Sequence, residues 1–346
     1  MGRMRFVLPF LVGPVVLAGC GGATGGGADA GVVNVYSHRH YDTDEALFRR
    51  FTEKTGIRVN VVTASADELI TRLENEGANS PADILITVDA GRLHRAKEKG
   101  LLRPIRSEVL EESIPASLRD PEGHWFGLTV RARVIVYDTS RVDPSELSTY
   151  EDLADPRWRG RVLVRSSGNV YNQSLLASLI ASSGEEATER WASGIVANMA
   201  RQPSGSDTDQ AKAVAAGVGD VAVVNTYYVA RLKNSSDPED RRVGERLGVF
   251  FPNQDGRGAH INVSGAGVTA SSKNVDNAVR LLEFLASEEA QRLFSEANFE
   301  YPANPRVEPA EILRAWGEFR ADTLNLARLG ELNAPAVKIF DRVGWR

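Results

Sequence analysis

Cysteine is almost missing: Cys20 is the only one in 346 residues. A single thiol excludes an internal disulfide framework and any thiolate-based metal site. Histidine is sparse too, with five residues and no HExxH arrangement, so a zinc-hydrolase centre is not encoded. No GxSxG and no phosphate-cradling glycine loop occurs, and Gly265-Ala266-Gly267 is too short to hold a nucleotide. These absences predict a protein that is not an enzyme. Basic charge is not in excess either, at 41 Lys and Arg against 46 Asp and Glu. A nucleic-acid partner, which leaves a basic footprint, is therefore not expected.

Long hydrophobic runs are also lacking. The one candidate, Phe6 to Leu17, is shorter than the roughly 20 residues that span a bilayer as a helix. With Arg3 and Arg5 before it, it reads as an export signal covering residues 1–19, outside the fold. It ends in Leu17-Ala18-Gly19-Cys20, which resembles the lipobox of bacterial lipoproteins. That resemblance implies cleavage before Cys20 and a lipid on its sulfur. The other reading is an ordinary signal peptide followed by an incidental cysteine. Residues 20–31 are a glycine-rich, slack tether by composition. A lipid-anchored monomer at the outer face of the cytoplasmic membrane is the expectation. Removing the leader leaves 39 basic and 46 acidic residues. The roughly 315 residues behind the tether suffice for about two domains.

What is present is an alternation of strand and helix patterns. Val32–Tyr36 reads as a buried strand, and Asp42 with Glu45 has capping-box spacing before a helix that Gly56 ends. Ile57–Val61 alternates as a strand; Leu69, Ile70 and Leu73 share a helical face; Pro81–Ile86 is the next strand and Leu93–Gly100 the next helix. This order implies a parallel sheet covered by helices on both faces. Val130–Tyr137 then crosses into a second α/β unit. There Arg161–Val164 is a strand, Asn169 caps a helix ending at Gly184, and Asp220–Val224 is a further strand. Ile261–Val268 returns, and the chain from Val275 reads as helical. The expected architecture is the bilobal type II periplasmic-binding-protein fold, two α/β lobes joined by two hinge strands. The expected division is residues 32–130 plus 266–346 for one lobe and 131–265 for the other.

Tyrosine stands where such folds hold ligands, at the C-terminal ends of strands. His40 and Tyr41 follow the first strand, Tyr171 follows the 161–164 strand, and Tyr227 and Tyr228 follow the 220–224 strand. A phenol has a free pKa of about 10 and binds metal well only once deprotonated. A small trivalent cation forces that loss, and oxygen donors suit hard ions. Tyrosine-rich and thiol-free, the pattern points to Fe(III). Each residue also has an ordinary reading: Tyr227 and Tyr228 as one core and one exposed ring, Tyr171 as an anchored interface ring, His40 as a surface loop residue. Four phenolates around Fe(III) leave one net negative charge, for which Arg39 and Arg131 are the candidate counter-charges or anion holders.

Taken in order, several segments resemble the ferric-ion-binding proteins of bacterial ABC iron importers, in the subgroup that binds iron largely through tyrosines. They include Tyr36-Ser37-His38-Arg39-His40-Tyr41-Asp42, Ser80-Pro81-Ala82-Asp83-Ile84, Gly127-Leu128-Thr129-Val130-Arg131-Ala132-Arg133, Tyr171-Asn172-Gln173-Ser174, Asn225-Thr226-Tyr227-Tyr228 and Gly265-Ala266-Gly267-Val268. The resemblance implies Fe(III) capture between lobes and delivery to a membrane permease. It implies His40, Tyr41, Tyr171, Tyr227 and Tyr228 as ligands; a synergistic anion such as carbonate is a further candidate. The competing expectation is a binder of the same fold for a polyamine, phosphonate or sugar. Such pockets favour tryptophan platforms, whereas Trp125, Trp158, Trp191, Trp316 and Trp345 are scattered.

Overall fold

The computed structural model describes residues 31–39 and 41–346. The export signal, Cys20 with its tether up to residue 30, and His40 lie outside the described residues. The chain begins with β1 (Val32–Ser37), α1 (Asp42–Thr55), β2 (Arg58–Thr63), α2 (Ala66–Glu76), β3 (Ile84–Thr87), α3 (Ala90–Glu98) and α4 (Glu108–Ser113). The long strand β4 (Phe126–Asp138) leads to β5 (Val162–Leu163), α5 (Val170–Ser183), α6 (Glu185–Asn198) and α7 (Asp207–Ala215). Next come β6 (Val221–Asn225), α8 (Thr226–Lys233), α9 (Pro238–Arg246), β7 (Leu247–Phe250) and β8 (Ile261–Val268). The chain closes with α10 (Val275–Ala286), α11 (Glu288–Asn298), β9 (Tyr301–Pro302), α12 (Glu311–Arg314), α13 (Ala327–Glu331) and α14 (Asn333–Val343).

β4 belongs to two sheets in succession. Its first half, Phe126 to Ala132, pairs antiparallel with β8, and its second half, from Arg133, pairs antiparallel with β6. Around β8 the first sheet runs β2-β1-β3-β8-β4, with β1 parallel to both β2 and β3. The second sheet adds β5 parallel to β6, with β7 on the far side of β4. Each sheet is covered by its own helices, so the molecule has two α/β lobes that share β4. α13 packs on α3 of one lobe and α5 of the other.

The local signals act where expected, with instructive exceptions. Ser65 and Glu68 form a true capping box for α2, and the Asn169 side chain accepts a hydrogen bond from the Tyr171 amide at the start of α5. At α1 the cap is Tyr41, with no side-chain cap bond, and not an Asp42–Glu45 box. Asp42 already lies in the first turn, where its charge faces the positive end of the helix dipole. The 161–164 strand shrinks to the two residues of β5. The C-terminal region is not helical throughout: Phe299 takes a left-handed conformation that ends α11, and β9 then pairs with Thr129 and Val130 of β4. Gly265 and Gly267 are required by packing inside β8, since a Cβ would meet the carbonyl oxygens of Phe126 and His124 at 2.7 and 2.4 Å.

Candidate metal centre

Three of the four predicted tyrosines sit at helix starts that follow strands of the second lobe. Tyr171 is the second residue of α5, and Tyr227 and Tyr228 are the second and third of α8, directly after β6. A continuing strand would send adjacent side chains to opposite faces. The switch from strand to helix at Thr226 removes that alternation. The rings of Tyr227 and Tyr228 accordingly pack 4.3 Å apart, tilted by 33°. The Tyr227 hydroxyl donates to the Tyr171 hydroxyl at 3.2 Å. The reading of one core ring and one exposed ring does not hold for this pair.

Tyr41 approaches from the first lobe, between β1 and α1. The Arg231 guanidinium of α8 joins the two sides, lying 4.7 Å from the centroid of the Tyr41 ring and 5.1 Å from that of Tyr227. All four phenols therefore belong to one cluster. Burial, then the neighbouring Tyr171, Tyr228 and Tyr41 phenols, push Tyr227 well above the ordinary phenol range. Burial, and then Tyr171 and Asp207, push Tyr228 upward as well. Burial, then the Glu300 carboxylate, raises Tyr41, although Arg39 pulls the other way. These phenols keep their protons at neutral pH unless a strong cation displaces them.

Arg39 lies inside the first lobe. Its buried guanidinium bonds Asp44 at 3.1 Å, Glu300 at 2.9 Å and Ser264 at 2.7 Å, and presents its face to Tyr41 at 4.8 Å. Arg131, on β4, donates to Ser264 and to the Val263 carbonyl, both at 3.0 Å, and stands 5.4 Å from the Tyr171 ring. Burial opposes ionisation of Glu300, but Arg39 and then Arg131 outweigh it and hold the carboxyl below the usual range. The sequence reading missed two members of this surround. Arg231 had a signal, since it lies four residues after Tyr227 on one helix face. Glu300 had none, because its partner Arg39 is 261 positions away.

The lobes touch beside the cluster. Asp89, at the start of α3, accepts from Ser174 of α5 at 2.5 Å and from Asn262 of β8 at 2.7 Å, while Arg92 donates to Gln173 at 3.1 Å. An opening of about 270 Å³ separates Ser65, Asp89 and Arg92 from Arg165, Ser166 and Asn169 across the lobes. A larger cavity of about 900 Å³, around Ile105, Arg119 and His124, contains none of the tyrosines. Among the described residues no group of three His, Cys, Asp or Glu side chains is placed to hold a metal. The phenols are the clustered donors. Trp125 and Trp158 are wholly buried, and Trp191 packs on Trp345, so none of these four offers a solute platform.

Known proteins resemble this chain over most of its length. The profile of the bacterial extracellular solute-binding proteins matches residues 79–316. Iron uptake protein A1 of Synechocystis is 52% identical over 314 residues, covering 91% of this chain and 87% of that protein. The Trichodesmium protein IdiA (FutA), solved with iron and citrate, superposes with a TM-score of 0.89 at 55% identity, covering 91% of this chain and 100% of that one. The ferric binding protein of Campylobacter jejuni superposes with a TM-score of 0.87 at 47% identity, covering 91% and 100%.

Proposed function

This chain belongs to the bacterial extracellular solute-binding protein family, and we propose that within it the protein captures ferric iron outside the cytoplasm and passes it to an ABC importer. Tyr41, Tyr171, Tyr227 and Tyr228 are the proposed donors, with His40, which precedes Tyr41 in the sequence, as a fifth. The observation that carries the reading is the direct contact of the Tyr171 and Tyr227 hydroxyls, from two helix starts 56 positions apart. Phenol oxygens gathered this closely, with the Tyr228 ring tilted alongside, suit a hard cation once their protons are displaced.

The lobe built on β5 and β6, within residues 131–265, offers three phenols first. Residues 32–130 plus 266–346 form the lobe that brings Tyr41 over the bound ion. Metal contacts to both sides favour the closed arrangement, which a permease can distinguish from the open one. Four phenolates exceed the charge of Fe(III) by one. Arg231, which forms no ion pair among the described residues, offsets that excess. Arg131 assists at Tyr171, and Arg39 favours ionisation of Tyr41 through its ring face. A small anion such as carbonate has room in the opening lined by Arg92, Arg165 and Asn169. A lipid on Cys20 holds the monomer near its permease.

Loading displaces phenolic protons, so affinity falls as the solution is acidified. The test is a titration of metal-free protein with ferric citrate. A phenolate-to-iron charge-transfer band is expected in the visible region, together with proton release. A colourless mixture with no bound iron sinks the proposal.

A further inference from the structure

We infer that Arg133 is a positioning residue that locks the starts of α5, α7 and α8 together and thereby sets the spacing of Tyr171, Tyr227 and Tyr228. The inference rests on the iron-binding reading above. Arg133 is the first residue of β4 to pair with the second sheet, opposite Asn225, and its side chain is wholly enclosed. One terminal nitrogen donates to Asp207 at 2.6 Å and to Asn225 at 3.2 Å. The other donates to Asn172 at 2.8 Å.

Each acceptor marks a helix start. Asp207 opens α7, Asn225 is the cap position of α8 two residues before Tyr227, and Asn172 directly follows Tyr171 in α5. Asp207 also accepts from the Asn225 amide at 3.0 Å, closing a ring between α7 and α8. Asn172 in turn donates to the carbonyls of Arg165 and Ser166 at 2.8 and 3.2 Å, fixing the loop that leads into α5. The Asn225 side chain makes no cap bond to its own helix, and its oxygen is turned to Arg133 instead.

The contribution is geometric. Asp207 neutralises Arg133 at contact distance, so the pair carries no net charge, although the guanidinium lies 5.8 Å from the centroid of the Tyr171 ring and Asp207 adds to the rise at Tyr228. The planar fork of a guanidinium serves several acceptors at fixed angles, which a lysine ammonium cannot reproduce. Arg133→Lys therefore keeps the charge and removes the geometry.

The experiment compares the full chain with Arg133→Lys, Asn172→Ala and Asn225→Ala. Three quantities are read: ferric-ion affinity by citrate competition, the position of the visible band, and near-ultraviolet circular dichroism of the metal-free protein, which reports the packing of its aromatic rings, the Tyr227–Tyr228 pair among them. Arg133→Lys is expected to bind iron about 10- to 100-fold more weakly, with a displaced band and altered dichroism. The two asparagine variants move the same way by smaller factors, and Asn172→Ala adds little on top of Arg133→Lys because both act through one hub. Wild-type affinity and band in Arg133→Lys overturn the inference. So does a loss of affinity that tracks melting temperature alone, with band and dichroism unmoved. Should Arg133→Lys fail to fold, the asparagine variants, which keep the ion pair, decide alone. A wild-type protein that stays colourless defeats the iron reading instead, and the metal-free dichroism still tests the hub.

Discussion

The two lobes equip their halves of the site differently. The first lobe supplies Tyr41, half-buried at the start of α1, over an enclosed ionic group of Arg39, Asp44 and Glu300. The second supplies three phenols already in contact, backed by the Arg133–Asp207 pair and two asparagines. One half is organised by charge and the other by geometry. Asp207 nonetheless adds to the rise at Tyr228, so the separation is one of emphasis. On the proposed iron site, the contrast implies a division of labour: the second lobe would decide where the ion sits, and the first how firmly the cleft closes over it.

Removing an oxygen from each half tests that division most severely. Tyr227→Phe is expected to weaken ferric-ion binding by more than about 100-fold, because even the outer partners of metal ligands are worth about 10- to 100-fold. Citrate competition measures it. Tyr41→Phe is expected to lose less affinity but to abolish the compaction on iron addition seen by small-angle scattering. Equal affinity losses with equal compaction in the two variants erase the distinction.

The ionic half is tested through stability. Glu300 has a carboxyl below the usual range when folded, because Arg39 and Arg131 outweigh its burial. Its stabilising contribution is therefore full above the unfolded value, about 4.3, and fades as pH falls through the folded one. Metal-free Glu300→Gln is expected to be less stable than wild type by about 2 kcal/mol at pH 7, the scale of hydrogen bonds to a charged group. Urea unfolding at a series of pH values should show the gap closing below about pH 4. A gap that ignores pH assigns Glu300 a packing role only.

Much of this site can be read in the sequence because its donors flank strands. A buried run ending in Asn225-Thr226-Tyr227-Tyr228 and a cap at Asn169 ahead of Tyr171 both use short-range rules, and the structure has these rings at the helix starts those rules mark. Asp42 and Glu45 obey the same kind of rule and mislead, since spacing alone does not say which residue begins the helix. Arg131 and Arg133 are two apart on a strand, hence on one face, which the alternation reveals. That Arg133 meets Asp207 while Arg131 faces Glu300 depends on where β4 changes sheets, and no local pattern marks that point. Glu300 is the least legible of all: helical periodicity runs up to Asn298, and only the left-handed turn at Phe299 delivers the carboxylate to Arg39.

Among the described residues, Arg231 is the one cation stacked on phenols of both lobes, at about 5 Å from the Tyr41 and Tyr227 rings. A unit charge pair at that separation is worth about 3 kcal/mol at an effective dielectric near 20, and solvent around a half-buried guanidinium reduces it to about half. Arg231→Gln should accordingly weaken iron binding by about tenfold at pH 7. Arg231→Lys should recover most of the loss, because the need is for a positive charge and not a fork. Raising the salt concentration should narrow the difference between wild type and Arg231→Gln modestly, since a half-buried charge is screened in part. This is the reverse of the pattern expected at Arg133, where lysine fails and salt has little reach. If lysine fails at both positions, Arg231 belongs with the geometric half, and the excess negative charge of four phenolates on Fe(III) must be met from Arg131 and Arg39 instead.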